Sequence, residues 1–268
     1  DYFIPKGFDT LDVKISILKN DIVIRKFENK KDTVKFKTWQ GGPTEKKYLK
    51  PKYGFNRFNW DLRREPFEGV EKVFVYGGYN SGIVSPGNYK IKMNIGGKEY
   101  QNSLLLESDP NFNFKTSEYL EQEELLLSIE KNIRNLNMMV TKARNIKMQL
   151  ENNIKKMDNK KELSDLIEMA KKITFKIDEW EQNLIQPKQK TFQDVINFHN
   201  KLNAEFIYLH EYVNSLDPQV TSGAMERFKD LDSKFRMSMK TFENDILVSI
   251  EKYNIEYERK NIPAIILK

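Results

Sequence analysis

The stretch GFNRFNWDLRREP, Gly54 to Pro66, places Phe58, Trp60 and Leu62 at every second position and then runs into Asp, two Arg, Glu and Pro. Alternation at that period predicts a strand with its large side chains on one side. The same period extends outward in both directions. Val13, Ile15 and Ile17 alternate with Asp12, Lys14 and Ser16, and a Lys19-Asn20-Asp21 turn leads into Ile22 to Ile24 and Phe27. Val34 and Phe36, Val73 and Val75, Tyr89 to Ile95, and Leu104 and Leu106 repeat the pattern. Gly96-Gly97 between the last two long runs is a two-residue hairpin signal. Short strands separated by turns over residues 1–107 predict an antiparallel β-sandwich.

Beyond Ser108-Asp109-Pro110 the period changes. Leu126, Ile129, Ile133, Leu136, Val140, Ala143, Leu150, Ile154 and Met157 keep a 3/4 spacing, interrupted at Lys147. That predicts a helix of about 40 residues, roughly 60 Å long. Leu163 to Leu184 gives a second helix, ended by Pro187. Thr191-Phe-Gln-Asp194 has the spacing of a capping box. It opens an expected third helix carrying Val195, Phe198, Leu202, Phe206, Leu209 and Val213. Ala224 through Tyr253 marks a fourth. The predicted fold class is therefore α+β in two domains. A sandwich over 1–107 and a linker over 108–116 precede an antiparallel four-helix bundle over 117–268, against which the tail from Asn261 to Leu267 docks.

Composition narrows the function classes. A hydrophobic fraction of 39% can supply cores, and the charged fraction of 31% exceeds the usual value of about 25%. Residues 1–110 carry 20 Lys and Arg against 14 Asp and Glu, while residues 111–268 carry 25 of each, so the whole net charge of +6 lies in the first part. No basic helix stands out, which argues against nucleic acid as a partner. Without cysteine there is no disulfide, thiolate nucleophile or cysteine-held metal. No apolar run is long enough to span a membrane. The opening at Asp1, without Met or signal pattern, reads as a mature product or a piece of a longer chain.

Trp60 has a structural reading: one indole can fill much of the depth of a sandwich about 10 Å thick. Pro86-Gly87-Asn88-Tyr89 starts a strand just after a turn, where a tyrosine hydroxyl can return to nearby backbone. The glycine-rich, aromatic stretches Gly41–Lys52 and Tyr76–Gly82 read as loops. Trp39, Tyr48, Tyr76 and Tyr79 on or beside them are candidate ligand contacts, suited to sugars if their rings are exposed and coplanar.

Gly54, Asn56, Phe58, Trp60 and Asp61, followed by Pro86, Gly87 and Tyr89, resemble a G-x-N-x-h-x-W-D strand and a P-G-x-Y strand. That pairing is similar to the Ig-like module of the flagellar hook-capping protein. Together with Asp109-Pro110 and the Asn261-Ile-Pro-Ala ending, it resembles the C-terminal region of large exported bacterial proteins. Those carry sortilin-like, BNR (Asp-box) propellers and are often called glycosyl hydrolase-like. The resemblance implies structural roles for Trp60, Asp61, Gly87 and Tyr89. It also implies propeller domains of a longer chain as partners, with envelope proteins or glycans as further candidates, and a location outside the cytoplasm. The expected role is a non-catalytic accessory region. A carbohydrate-binding module, or part of a glycoside hydrolase, stands as the alternative.

The residues offer little for bond chemistry. His199 and His210 are eleven positions apart; on one helix they would share a face but lie about 16 Å apart along the axis, too far to hold one metal. No Glu stands three residues before either, as a di-iron bundle requires. Tyr76–Gly82 lacks the lysine of a phosphate-binding loop. Glu121, Glu123 and Glu124 suit the positive end of the first helix. The expected catalytic, metal and cofactor sites are therefore none.

Overall fold

Period-two stretches become strands here wherever a partner completes the hydrogen-bond ladder. The structure, a computed structural model, describes residues 1–7, 11–30, 38–157, 160–215 and 217–260. The strands are β1 (Tyr2–Ile4), β2 (Val13–Lys19), β3 (Ile22–Glu28), β4 (Gly54–Asn56), β5 (Gly87–Ile95) and β6 (Lys98–Leu106). They form two antiparallel sheets, a ribbon of β1 and β4 and a four-stranded sheet in the order β3-β2-β5-β6. Asn20 and Asp21, at φ 51° and 61°, make the β2–β3 turn, and Gly96 and Gly97, at φ 54° and 89°, make the β5–β6 turn. Positive φ at both central residues matches the twist of the flanking strands. One sheet face buries Ile15, Ile17, Phe27 and Tyr89, with Tyr2, Phe58, Trp60 and Leu62 packed on them. The other is polar, with Lys90 paired to Asp21 and Lys92 to Glu99, as expected of an antiparallel sheet with one wet side.

The helices are α1 (Thr116–Met157), α2 (Ser164–Leu184), α3 (Asp194–Asn197), α4 (Leu202–Ser215), α5 (Ser222–Thr241) and α6 (Val248–Arg259). A 3₁₀ turn, Lys161–Leu163, leads into α2. A π-helical turn, Phe242–Leu247, joins α5 to α6 without a break in helical backbone angles. Trp180 on α2 sits against that turn: its indole N–H donates to the Ser238 carbonyl, and its ring lies 4.8 Å from that of Phe242. α1, about 63 Å long, packs along α2 and α4, α4 meets α5, and α2 meets α6. The molecule is thus mixed α+β, with two small antiparallel sheets beside a group of packed helices.

Four expectations need correction. Phe58, Trp60 and Leu62 do face one way, but only Gly54–Asn56 of that stretch is strand. Alternation reports side-chain direction, and a strand also needs a partner. Residues 57–61 have none, and Leu62 turns the chain at φ 56°. Val73 and Val75 are likewise outside any strand; the Val73 amide bonds to the Val70 carbonyl in a turn, and the Val75 amide to the carbonyl of distant Gly41. The expected third helix is broken, because Phe198 is extended (φ −124°, ψ 113°). Side-chain amides of Gln189 and Gln186 take the Phe198 and His199 carbonyls that a continuous helix would have used. His199 and His210 therefore do not share a helix. Finally, the helical core contains Phe67, Val70, Val73, Val75 and Tyr79. The change of period at residue 107 is not where the cores divide. The expected Val34–Phe36 strand and the docked tail from Asn261 lie outside the described residues.

Candidate functional site

The stretch Trp60-Asp-Leu-Arg63 is a corner. The Trp60 indole N–H donates to the Arg63 carbonyl at 2.9 Å, and the Asp61 carboxylate accepts the Arg63 amide at 3.2 Å. Leu62 occupies the left-handed region between them, an uncommon place for a branched residue without such support. Trp60 also meets Tyr89 edge to face at 5.7 Å, and the Tyr89 hydroxyl donates to the Ser85 carbonyl at 2.5 Å. Gly87, which starts β5, has φ 148°. The corner takes the chain off the sheet face and aims Arg64 at the helices.

Residues 64–82 then form a strap. Its ends are held together by an Arg63–Ile83 bridge, by the Val84 amide on the Leu62 carbonyl, and by the Ser81 hydroxyl on the Arg64 carbonyl. Its middle lies on α1 and α4. Four polar residues of α1, each seven after the last, meet it in turn. Glu123 and Glu130 hold the Arg64 guanidinium, Asn137 donates to the Glu68 carbonyl, and Arg144 donates to the Glu71 carbonyl. Arg134 donates to the Glu65 and Pro66 carbonyls. From α4, Glu211 accepts the Gly78 amide and Asn214 the Ile83 amide. The strap thus finds side-chain partners for backbone groups that no sheet or helix satisfies.

At the strap's root lies a buried ionic cluster. Glu130 accepts from Arg64 Nη2 at 2.6 Å, Arg64 Nε at 3.1 Å and the Gly82 amide at 2.8 Å, and His210 Nε2 lies 3.3 Å away. Glu123 accepts from Lys19 at 2.5 Å, the Ser85 hydroxyl at 2.6 Å and Arg64 Nη1 at 3.3 Å. Arg64, Glu123, Glu130, Ser85 and His210 are all buried. Two cations face two carboxylates, so the charges balance. Burial by itself would raise the Glu130 carboxyl; contacts with His210, Arg64 and the Gly82 amide outweigh it and bring the value down to about 2. Burial acts upward on Glu123 too, and Lys19, Ser85 and Arg64 leave it below the usual range. Carboxylates held this way are poor proton acceptors at neutral pH, but they are strong anchors for a cation and for amide N–H groups.

Gly82 is part of the same packing. A Cβ there would come within 2.7 Å of Arg64 Nη2 and 2.9 Å of a Leu126 methyl. Gly77 is similarly tight against Ile207. The glycines of Tyr76–Gly82 therefore permit close approach to helices.

The four aromatic candidates do not converge on one face. Tyr79 is buried in the helical core, and burial raises its hydroxyl above the ordinary value. Trp39 is half-buried, with its indole N–H on the Val73 carbonyl. Tyr48, also half-buried, lines an open cleft of about 480 Å³ beside β3 with Lys26, Glu28, Lys47 and Glu65. Tyr76 is exposed and meets exposed Phe192 at 88°. That geometry is not the coplanar platform a stacked sugar needs. Among the described residues no group of three or more His, Asp or Glu side chains could hold a metal, and no helix is long and apolar enough to cross a membrane.

Sequence reasoning missed Arg64 and Glu130, weighed His210 only as a metal ligand, and took Glu123 only as a helix-dipole residue. A signal was present. Glu123, Glu130, Asn137 and Arg144 form a polar line of period seven beside the apolar stripe of α1, and a polar line at core spacing predicts buried partners. Searched against known protein families, curated proteins and solved structures, the chain finds no match in any of the three.

Proposed function

We propose that this chain is a non-catalytic accessory region of a larger exported bacterial propeller protein, acting as a rigid support or docking module. In this reading the two sheets are an Ig-like sandwich and the packed helices an antiparallel four-helix bundle. The observation that carries it is the strap: residues 64–82 are fixed between sheet and helices by a charge-balanced buried cluster, which makes one stiff body of two unlike halves. A spacer must transmit position, and such a joint does so. The side chains best placed for acid–base work, Glu123 and Glu130, are already used in holding Arg64, Lys19 and strap amides.

The Trp60-Asp-Leu-Arg63 corner and the Pro86-Gly-Asn-Tyr89 strand start, the stretches on which the resemblance rests, both perform structural work in this chain. The test is to prepare the longer protein with and without this region, and to titrate the isolated region into the propeller part by calorimetry. The reading predicts binding in trans, or a propeller that melts at lower temperature when the region is deleted. Glycan hydrolysis by the isolated region, or a propeller indifferent to it in both assays, contradicts the proposal.

A further inference from the structure

The β1–β4 ribbon has two unlike faces. Ile4 points inward and is fully buried with Val13 and Ile95. On the outer face Phe3 and Phe55 stand directly opposite one another, their ring centroids 5.2 Å apart, with Tyr53 6.4 Å from Phe3. These rings are 50%, 87% and 59% exposed for Phe3, Phe55 and Tyr53. Taking about 200 Å² per ring, the apolar patch is roughly 400 Å², as large as the biggest patch on a typical monomer. Folding does not require it, since the ribbon's buried face is the other one.

The surroundings are basic. β1 runs out into Pro5-Lys6, and Lys50 and Lys52 precede β4, so three exposed lysines flank the ribbon. None of them pairs with an acidic side chain among the described residues. Arg57, which follows β4, is neutralised by Asp1, which takes two of its N–H groups at 2.8 Å. Asn56 clamps the approach by bonding both the amide and the carbonyl of Lys52. The rings are therefore presented on a braced edge.

We propose that this ribbon docks on an anionic lipid surface, with Phe3, Tyr53 and Phe55 entering the headgroup layer and Lys6, Lys50 and Lys52 facing lipid phosphates. This goes beyond the supporting role above and does not rest on it. Aromatic side chains favour the membrane interface, and each lysine adds attraction to an anionic leaflet. A second copy fits less well: the patch falls short of the roughly 800 Å² per partner of a stable dimer, and two sets of lysines would repel. Stacked bases or sugars fit less well too, because edge-to-face pairing at 68° and 70° occupies ring faces, whereas lipid asks only for apolar volume.

The test is co-sedimentation of the full 268-residue chain with phosphatidylcholine vesicles, with and without about one-third phosphatidylserine. Binding is expected only to the anionic vesicles, with a loss of tenfold or more in high salt. Phe3→Ser with Phe55→Ser should reduce it by at least tenfold, and Lys50→Glu with Lys52→Glu similarly, since about fivefold per lysine follows from the attraction of one charge. All four positions are exposed, so circular dichroism melts should be unchanged and loss of fold is separable from loss of binding. No binding to anionic vesicles, or binding indifferent to both variants, overturns the proposal. So does finding that the phenylalanines instead govern dimerisation in sedimentation, or capture of a single-stranded oligonucleotide without vesicle binding.

Discussion

Replacing Arg64 with methionine keeps most of the side chain's volume and removes its charge. Glu130 would retain the Gly82 amide and the His210 contact but lose its hydrogen-bonded guanidinium, while Glu123 would keep Lys19 and Ser85. Breaking a buried pair by deleting one partner typically costs about 3–5 kcal/mol. For a chain of this size that is a fall in Tm of about 6–20 °C. The Glu130 carboxyl points the same way: against burial, His210, Arg64 and the Gly82 amide together hold it well below its ordinary value. Because that carboxyl is depressed in the folded state, its contribution is complete above pH 4.5 and is lost as pH falls towards 2. Without Arg64 the carboxyl titrates higher. The difference between wild type and Arg64→Met should then be widest above pH 4.5 and narrow in acid. The assay is urea unfolding followed by circular dichroism from pH 7 to pH 2. Adding Glu130→Gln should recover at least half of the loss, since the cost lies in that stranded carboxylate. A loss below about 1 kcal/mol at pH 7, or one that is constant across the pH range, refutes the reasoning.

Three further outcomes are expected. Gly82→Ala should destabilise by about 1–3 kcal/mol through overpacking against Arg64 and Leu126, read by the same unfolding assay. Gly223→Ala, on α5 with open space around it, should stabilise by up to about 1 kcal/mol through helix propensity; a loss there would contradict the assigned helix. Tyr89→Phe leaves the Ser85 carbonyl without its hydroxyl donor and should cost about 1–2 kcal/mol, with Trp60 fluorescence reporting any loosening of the corner.

Much of the fold was legible because local periodicity carries it. Val13, Ile15 and Ile17, the Gly96-Gly97 turn, and the stripe from Leu126 to Met157 each encode their own conformation. What was not legible depends on partners distant in sequence. Phe58, Trp60 and Leu62 carry a strand's alternation, but a strand is made by a neighbour they lack. Val73 and Val75 advertise burial without saying in which core. The helix break at Phe198 is set by Gln186 and Gln189, whose side chains reach back only in the folded chain. The cluster around Arg64 joins residues 59 and 66 positions apart. Its trace in sequence was the polar line of period seven on α1, easily taken for a solvated edge. The aromatic ribbon was hidden for a related reason: β4 is three residues long, too short for its alternation to show that Phe55 faces water.

The central claim is that the strap is a fixed joint between sheet and helices. Amide hydrogen exchange tests it most directly at Gly78, Gly82 and Ile83, whose N–H groups donate to Glu211, Glu130 and Asn214 on the helices. These three amides should exchange as slowly as the middle of α1, although they belong to no strand or helix. Exchange at the rate of an open loop, while α1 stays protected, would contradict it.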